Sequence, residues 1–315
     1  MDSDWTGMPR RNWENLALVR ARLDAGADPN APVWHGELPL HVAARDGSPE
    51  VVAELARRVD DIDADHEGRT ALWLAVYARR PENARVLAAA GADPWRPMMG
   101  GWSPGQLSLA GPTPFPVPPG EPGLSDAEAA MVAESAQLIA ALDVPHYHGT
   151  GLACVADIDA AEAARRLEAT PIVPDEEYAD EPWPFHEELD DDELDFIVGA
   201  TDVPGGCVIT QPWGYLPRTR EVTTRLSAGT LCYGMYANPK SGNQGSVLID
   251  GVTESWDVTP GGEPIADDDS DEILLAYLYR HRAIAYACAY AGLKPSDARA
   301  VTGPPDVWLE LTRRP

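Results

Sequence analysis

The chain of 315 residues carries 51 acidic against 24 basic side chains, a net charge of -27 at pH 7, with 44% hydrophobic residues. That length allows two domains and a sizeable core. The charge argues against binding a nucleic-acid backbone, which needs clustered Lys and Arg, and suits either plain solubility or a basic protein partner attracted over a distance.

No apolar run approaches the roughly 18 residues of a membrane span, and the acidic start Met1-Asp2-Ser3-Asp4-Trp5 has no apolar h-region. A cytoplasmic protein without membrane attachment is expected. Cys154, Cys207, Cys232 and Cys288 form no C-x-x-C pair and sit in apolar patterns. They read as reduced, buried thiols.

The N-terminal third repeats itself. Gly36-Glu37-Leu38-Pro39-Leu40-His41-Val42-Ala43-Ala44 is echoed 32 residues later by Gly68-Arg69-Thr70-Ala71-Leu72-Trp73-Leu74-Ala75-Val76. Gly26-Ala27-Asp28-Pro29 returns as Gly91-Ala92-Asp93-Pro94, with the worn copy Val59-Asp60-Asp61-Ile62 between them. These words at a period near 33 residues resemble the ankyrin repeat. The resemblance implies an α-helical solenoid of about three to four repeats over residues 1–111. Each unit would be a short inner helix, a turn, an outer helix and an extended finger. Ser48 is the predicted cap of one outer helix and Pro49 its first residue. The inner helix of the first unit, around Trp5 to Arg11, is poorly marked. The family word Thr-Pro-Leu-His stands here as Leu38-Pro39-Leu40-His41 and Thr70-Ala71-Leu72-Trp73, so neither unit keeps both the Thr hydroxyl and the His ring.

Arrays of this kind present a concave surface to protein partners, which implies binding rather than chemistry. The fingers carry Trp34, His35, His66, Trp95, Arg96, Met98 and Met99; with Tyr77 these are the candidate partner-binding residues. Tyr77 and Trp73 are alternatively core, filling the space of the missing His. Trp34, Trp95 and Trp102 are expected at a surface contact, either with a partner or with the second domain.

Residues 112–150 read as linker and cap. Six prolines fall within residues 111–123, an extended, semi-rigid stretch. Ser125-Asp126-Ala127-Glu128 is a capping box that opens a helix to about Leu142.

Residues 151–315 change period. Strands are predicted at Leu152–Ala156, Phe196–Gly199, Cys207–Thr210, Thr230–Tyr236, Ser246–Ile249 and Val252–Trp256, the last two joined at Asp250-Gly251. Helices are predicted from Asp159, over Arg218–Ser227, and as one long span of about Asp271–Ala291. A short helix from Ser296 and a last strand near Trp308 follow. Runs of strands with helices on one face give an α+β domain with a mainly antiparallel sheet. The stretch from Asp157 to Leu167, Trp213-Gly214-Tyr215, Arg225 to Thr230 and His281-Arg282-Ala283 resemble a domain of unknown function common in actinobacteria. That resemblance implies a fold and no activity.

No phosphate loop, nucleophile elbow or zinc-protease motif is present, and no cofactor is called for. His146-Tyr147-His148 fits no standard zinc spacing, so no metal site is expected. Residues 175–195 hold twelve acidic residues and no Lys or Arg, a solvated loop or a decoy for a basic partner. The leading reading is a non-enzymatic protein-binding module, one version being an immunity or inhibitor protein against a basic partner. The alternative is a small-molecule enzyme of secondary metabolism. In it His186, Tyr233, Tyr236 and a carboxylate would do acid–base work in a cleft around Trp213, Tyr215 and Trp256.

Overall fold

The computed structural model describes residues 5, 7–33, 36–143, 149–174, 184, 196–238 and 240–312. The chain forms two compact units, one of residues 1–130 with 264–278, the other of 131–263 with 279–315.

The first unit is a solenoid of helix pairs. α1 (Leu16–Asp24) is an outer helix, followed by the pairs α2 (Pro39–Asp46) with α3 (Pro49–Ala56) and α4 (Ala71–Tyr77) with α5 (Pro81–Ala89). α6 (Pro104–Leu109) begins a fourth repeat. Each start has a chemical reason. Asn15, Ser48 and Thr70 accept from backbone N–H groups at the heads of α1, α3 and α4, and Ser103 with Gln106 forms a full capping box on α6. In the first repeat a 3-10 turn, Arg10–Glu14, stands where an inner helix would lie. Trp5 stacks on Trp13 there at 5.3 Å and donates its Nε1 proton to Asp28 O at 2.7 Å.

Polar groups tie the repeats together. Asn83 of α5 is buried, and its Nδ2 donates to Ala43 O, Ala44 O and Gly47 O at 3.3, 3.0 and 3.0 Å. It bonds the Ala44 and Gly47 carbonyls at the end of α2 and shares Ala43 O with Gly47 N–H. His41 Nε2 lies 3.1 Å from Arg69 O, and burial keeps its pKa below the ordinary value. Trp73 occupies the matching position one repeat on and is fully buried.

A helix from far along the chain completes this unit. α10 (Ser270–Leu278) buries Ile273, Leu274, Ala276, Tyr277 and Leu278. (α7 to α9 lie in the intervening chain.) Its start is fixed by Asp269, whose Oδ1 accepts from Asp271 N and Glu272 N while Glu272 Oε2 accepts from Asp269 N. The acidic run before the helix is thus its cap. Trp102 Nε1 donates to Ser270 O at 2.9 Å, Tyr77 Oη to Ala276 O at 3.2 Å, and Arg79 Nη2 to Tyr277 O and Leu278 O at 3.2 and 3.1 Å. Two glycines leave the room it needs. A Cβ on Gly100 would meet Ile273 Cδ1 at 2.6 Å, and one on Gly111 would overlap the Tyr277 hydroxyl.

α7 (Asp126–Ala141) starts at the predicted capping box, with Ser125 N to Glu128 Oε2 at 2.6 Å and Glu128 N to Ser125 Oγ at 3.2 Å. The boundary between the units falls within it.

The second unit is built on an eight-stranded antiparallel sheet. Its strands are β1 (Gly151–Ala156), β2 (Thr170–Ile172), β3 (Ile197–Val203), β4 (Gly206–Gln211), β5 (Leu231–Asn238), β6 (Gly242–Ile249), β7 (Val252–Val258) and β8 (Val307–Glu310). The spatial order is β2-β8-β3-β4-β1-β5-β6-β7. Asp250 and Gly251, both at positive φ, close the β6–β7 hairpin.

Helices cover both faces of this sheet, not one as the strand runs suggested. Ala153, Val155, Val198, Ala200, Ile209 and Cys232 pack with α8 (Ala160–Leu167) and α9 (Arg220–Leu226) in one core. On the other face α11 (Ala283–Tyr290) brings Cys288 Sγ to 3.7 Å from Cys154 Sγ, with Tyr286 and Tyr290 at 6.0 and 5.2 Å from the Tyr233 ring. α12 (Arg299–Thr302) precedes β8.

The long helix expected over Asp271–Ala291 is two helices. It breaks at Tyr279–Arg282, where His281 takes φ +61° and its N–H bonds Gly261 O at 2.9 Å. α10 and α11 belong to different units. All four cysteines are free and buried. Burial pushes the Cys207 thiol up to about 12.

Gly111→Ala should lower the stability of the first unit by about 1–3 kcal/mol, the range for overpacking a filled site. Gly123→Ala, with nothing within 4 Å of the new carbon, should be neutral. Urea denaturation followed by far-UV circular dichroism compares the two.

Candidate functional site

The fingers of the ankyrin unit form one tied edge. Asn30 Oδ1 accepts from Asp60 N at 3.0 Å, and the Asp63 carboxylate accepts from Asp93 N at 3.2 and 3.1 Å. Each finger therefore holds the next through an Asn or Asp side chain one repeat earlier. Arg96 Nη1 donates to Asp63 O at 3.0 Å, which pins an exposed guanidinium on this edge.

Glycines repeat the same packing. A Cβ on Gly36 would lie 2.8 Å from His66 Cε1, and one on Gly68 would lie 3.0 Å from Met99 Cγ. His66 and Met99 are thus equivalent residues, each seated on the finger before it. Positive φ at Gly36 and Gly68 suits glycine at both places.

The candidate partner-binding residues divide accordingly. Trp34 and His35 lie outside the described residues. Arg96 is exposed, and Trp95, Met98 and His66 are half-buried. Met99 is buried under the fingers, and Tyr77, 2% exposed, is buried beneath α10. Tyr77 and Met99 therefore act in packing, the alternative already open for Tyr77. Trp102, expected at a surface contact, is buried with its indole proton on Ser270 O. Trp95 lies against Gly105, where an added Cβ would meet its ring at 2.8 Å.

The finger edge is acidic. Asp60, Asp61, Asp65, Glu67 and Asp93 are exposed, and Asp63 is half-buried among them. Burial raises the Asp63 pKa above the ordinary carboxylate value; the bond from Asp93 N–H opposes this, and the charges of Asp93 and Asp61 add to it.

On the outer face of the array, Glu54 is buried and takes Arg20, Arg57 and Arg58 at 2.9, 2.7 and 2.9 Å. Burial alone would raise its pKa, but the Arg20 hydrogen bond and the three positive charges hold it below the usual value. The two carboxylates thus deviate in opposite directions. Three guanidiniums outweigh burial at Glu54, whereas at Asp63 the Arg96 charge and the Asp93 N–H bond do not.

Of the alternative catalytic set, the two tyrosines are not brought together. His186 lies outside the described residues, as do His146, Tyr147, His148 and all of residues 175–195 except Pro184. Tyr233 and Tyr236 are three apart on β5 and so point to opposite faces. Tyr236 meets Tyr215 edge-on at 6.2 Å. Tyr233 is fully buried under α11, and burial pushes its hydroxyl pKa well up. Trp213, Tyr215 and Trp256 are 83%, 65% and 50% exposed, so they wall no enclosed cavity. Among the described residues no cluster of three or more His, Cys, Asp or Glu side chains is placed to hold a metal ion. No helix among them is long and apolar enough to cross a membrane.

Comparison with known proteins agrees with the repeat geometry. Residues 11–98 match the family model for ankyrin repeats, three copies. Over 65 residues the chain is 43% identical to human Rabankyrin-5, a match that covers 20% of this chain and 6% of that protein. The N-terminal region is an array of ankyrin repeats, a protein–protein interaction module.

Asp63→Asn should keep the acceptor for Asp93 N–H while removing a charge that burial and its neighbours disfavour. A raised native pKa means that Asp63 favours folding below the ordinary carboxylate pKa and loses that contribution as pH rises through the raised value. The variant should therefore melt higher than the native protein at pH 7 and not at pH 3. Calorimetric scans at the two pH values check this.

Proposed function

We propose that this protein is a non-catalytic binding protein whose finger edge takes a basic protein partner. The observation that carries the reading is Asp63. Burial and the charges of Asp93 and Asp61 raise its pKa against the opposing Asp93 N–H bond and Arg96 charge, so negative charge is disfavoured there on balance, on an edge tied by the Asn30–Asp60 and Asp63–Asp93 bonds. A cationic side chain placed there relieves repulsion, and a pre-ordered edge loses little entropy on binding. Exposed Arg96 and half-buried Trp95 and Met98 supply contact area beside the carboxylates.

An inhibitor or immunity protein that masks a basic effector fits this charge. The overall charge of -27 speeds encounter with such a partner and opposes acidic competitors. The expected location is the cytoplasm. The second unit, with its resemblance to a domain of unknown function, supplies no activity to this reading.

The test is affinity capture with the full-length chain as bait, followed by titration of any basic partner. Binding should weaken as salt is raised. Glu67→Lys and Asp65→Lys together should reduce affinity about tenfold or more; because Asp65 accepts from Gly68 N–H and Glu67 pairs with Arg69, circular dichroism of the variant checks that the array stays folded. A partner that binds the double variant as well as the native protein overturns the finger edge as its site.

A further inference from the structure

At the other edge of the array, where α4 turns into α5, three arginines gather. A groove of about 360 Å³ opens there, walled by the ends of those helices, by residues 112–116 and by Tyr277. Arg79, Arg80 and Arg85 line it together with Phe115, and no acidic residue does. That volume lies at the small end of ligand pockets, which run from roughly 300 to 1,000 Å³.

The three arginines differ from others in the unit. Arg20, Arg45, Arg57, Arg58 and Arg69 each pair with a carboxylate. Arg79 instead donates to the carbonyls of Tyr277 and Leu278, and its guanidinium carbon lies 5.4 Å from the centre of the Tyr277 ring. Arg80 Nε donates to Arg45 O at 3.1 Å. Arg85 is exposed and forms no hydrogen bond or ion pair among the described residues. In a chain with more than twice as many acids as bases, three guanidiniums border one groove and none pairs with a carboxylate among the described residues.

Two of them are also fixed in place. The carbonyl bonds of Arg79 and Arg80 position their planes and leave further N–H donors unused. A guanidinium presents a rigid fork that matches a carboxylate with two parallel bonds. Proline restricts the backbone of the wall at residues 112, 114 and 116, and Phe115 N–H is held by Ser108 Oγ at 2.9 Å. Apolar wall and cationic rim together call for a ligand carrying both apolar side chains and carboxylates.

We propose that this groove binds a short acidic peptide segment of a partner protein, with its carboxylates on Arg79, Arg80 and Arg85 and an apolar side chain against Phe115 and the flanking prolines. The site is separate from the finger edge and of opposite polarity. The two surfaces can therefore be occupied by different chains, and either assignment can fail without the other.

The probe is a random peptide library displayed on phage, panned on the full-length protein after depletion on the Arg80→Glu/Arg85→Glu double variant. Enriched sequences should hold two or more Asp or Glu beside an apolar residue. Synthetic versions should bind the native protein about tenfold or more tighter than Arg85→Glu, whose exposed position leaves the fold intact, and binding should weaken with salt. The finger variants Asp65→Lys and Glu67→Lys should leave it unchanged. Enrichment of no acidic sequences, or equal binding to Arg85→Glu, overturns the proposal. Displacement of the peptides by an equal concentration of inorganic phosphate also overturns it, because that identifies a simple anion site.

Discussion

The first unit depends on the docking of α10. An ankyrin array buries its apolar surface by stacking, and its last repeat has no successor. Here the fourth repeat stops after α6, and a helix from about 170 residues later covers Tyr77, Trp102 and the glycine at 111. Three backbone carbonyls of that helix's end, Ala276, Tyr277 and Leu278, receive side-chain donors from Tyr77 and Arg79. These are the orphan acceptors that every helix end leaves. The array thus supplies the C-terminal capping of α10, while α10 supplies the missing neighbour of the array. The chain must be synthesised through residue 278 before the unit is complete.

That closure also orders the charges. Arg79 is spent on the α10 carbonyls and on the Tyr277 ring, so it sits beside Arg80 and Arg85 rather than on a carboxylate of its own. On the finger edge the opposite holds. Of the two side chains that accept from the next finger's backbone, Asn30 is neutral and Asp63 is charged. The second tie therefore holds a half-buried carboxylate close to Asp61 and Asp93, which raise its pKa further.

Much of this was legible in the sequence, because the relevant signals are local. The Gly-Ala-Asp-Pro words, the caps Ser48 and Ser125, and the Asp250-Gly251 turn all act through their immediate neighbours. What could not be read is long-range. Nothing in Tyr279-Arg280-His281-Arg282 resembles a helix stop, since no Gly or Pro interrupts it. The break comes from the demand that α10 and α11 serve different units. β2 was missed because three residues containing Pro171 carry no strand pattern. Its place at the sheet's edge, paired only with β8, is what tolerates the proline. The opposite faces of Tyr233 and Tyr236, by contrast, were readable from strand alternation alone.

The groove at Arg79, Arg80 and Arg85 shows why the site was the harder part. In the sequence, Arg79-Arg80-Pro81 is an ordinary turn between two helices, and the Pro-rich stretch after Gly111 is an ordinary linker. Neither suggests a ligand. They become a surface only when residues 112–116 lie along the α4–α5 junction and Tyr277 arrives from the returning helix. Composition gives no hint of this groove either, since a net charge of -27 directs attention to basic partners. Net charge describes the field at a distance, whereas recognition at contact is set by which charges the fold leaves without a partner. On the finger edge the two agree, and in the groove they do not.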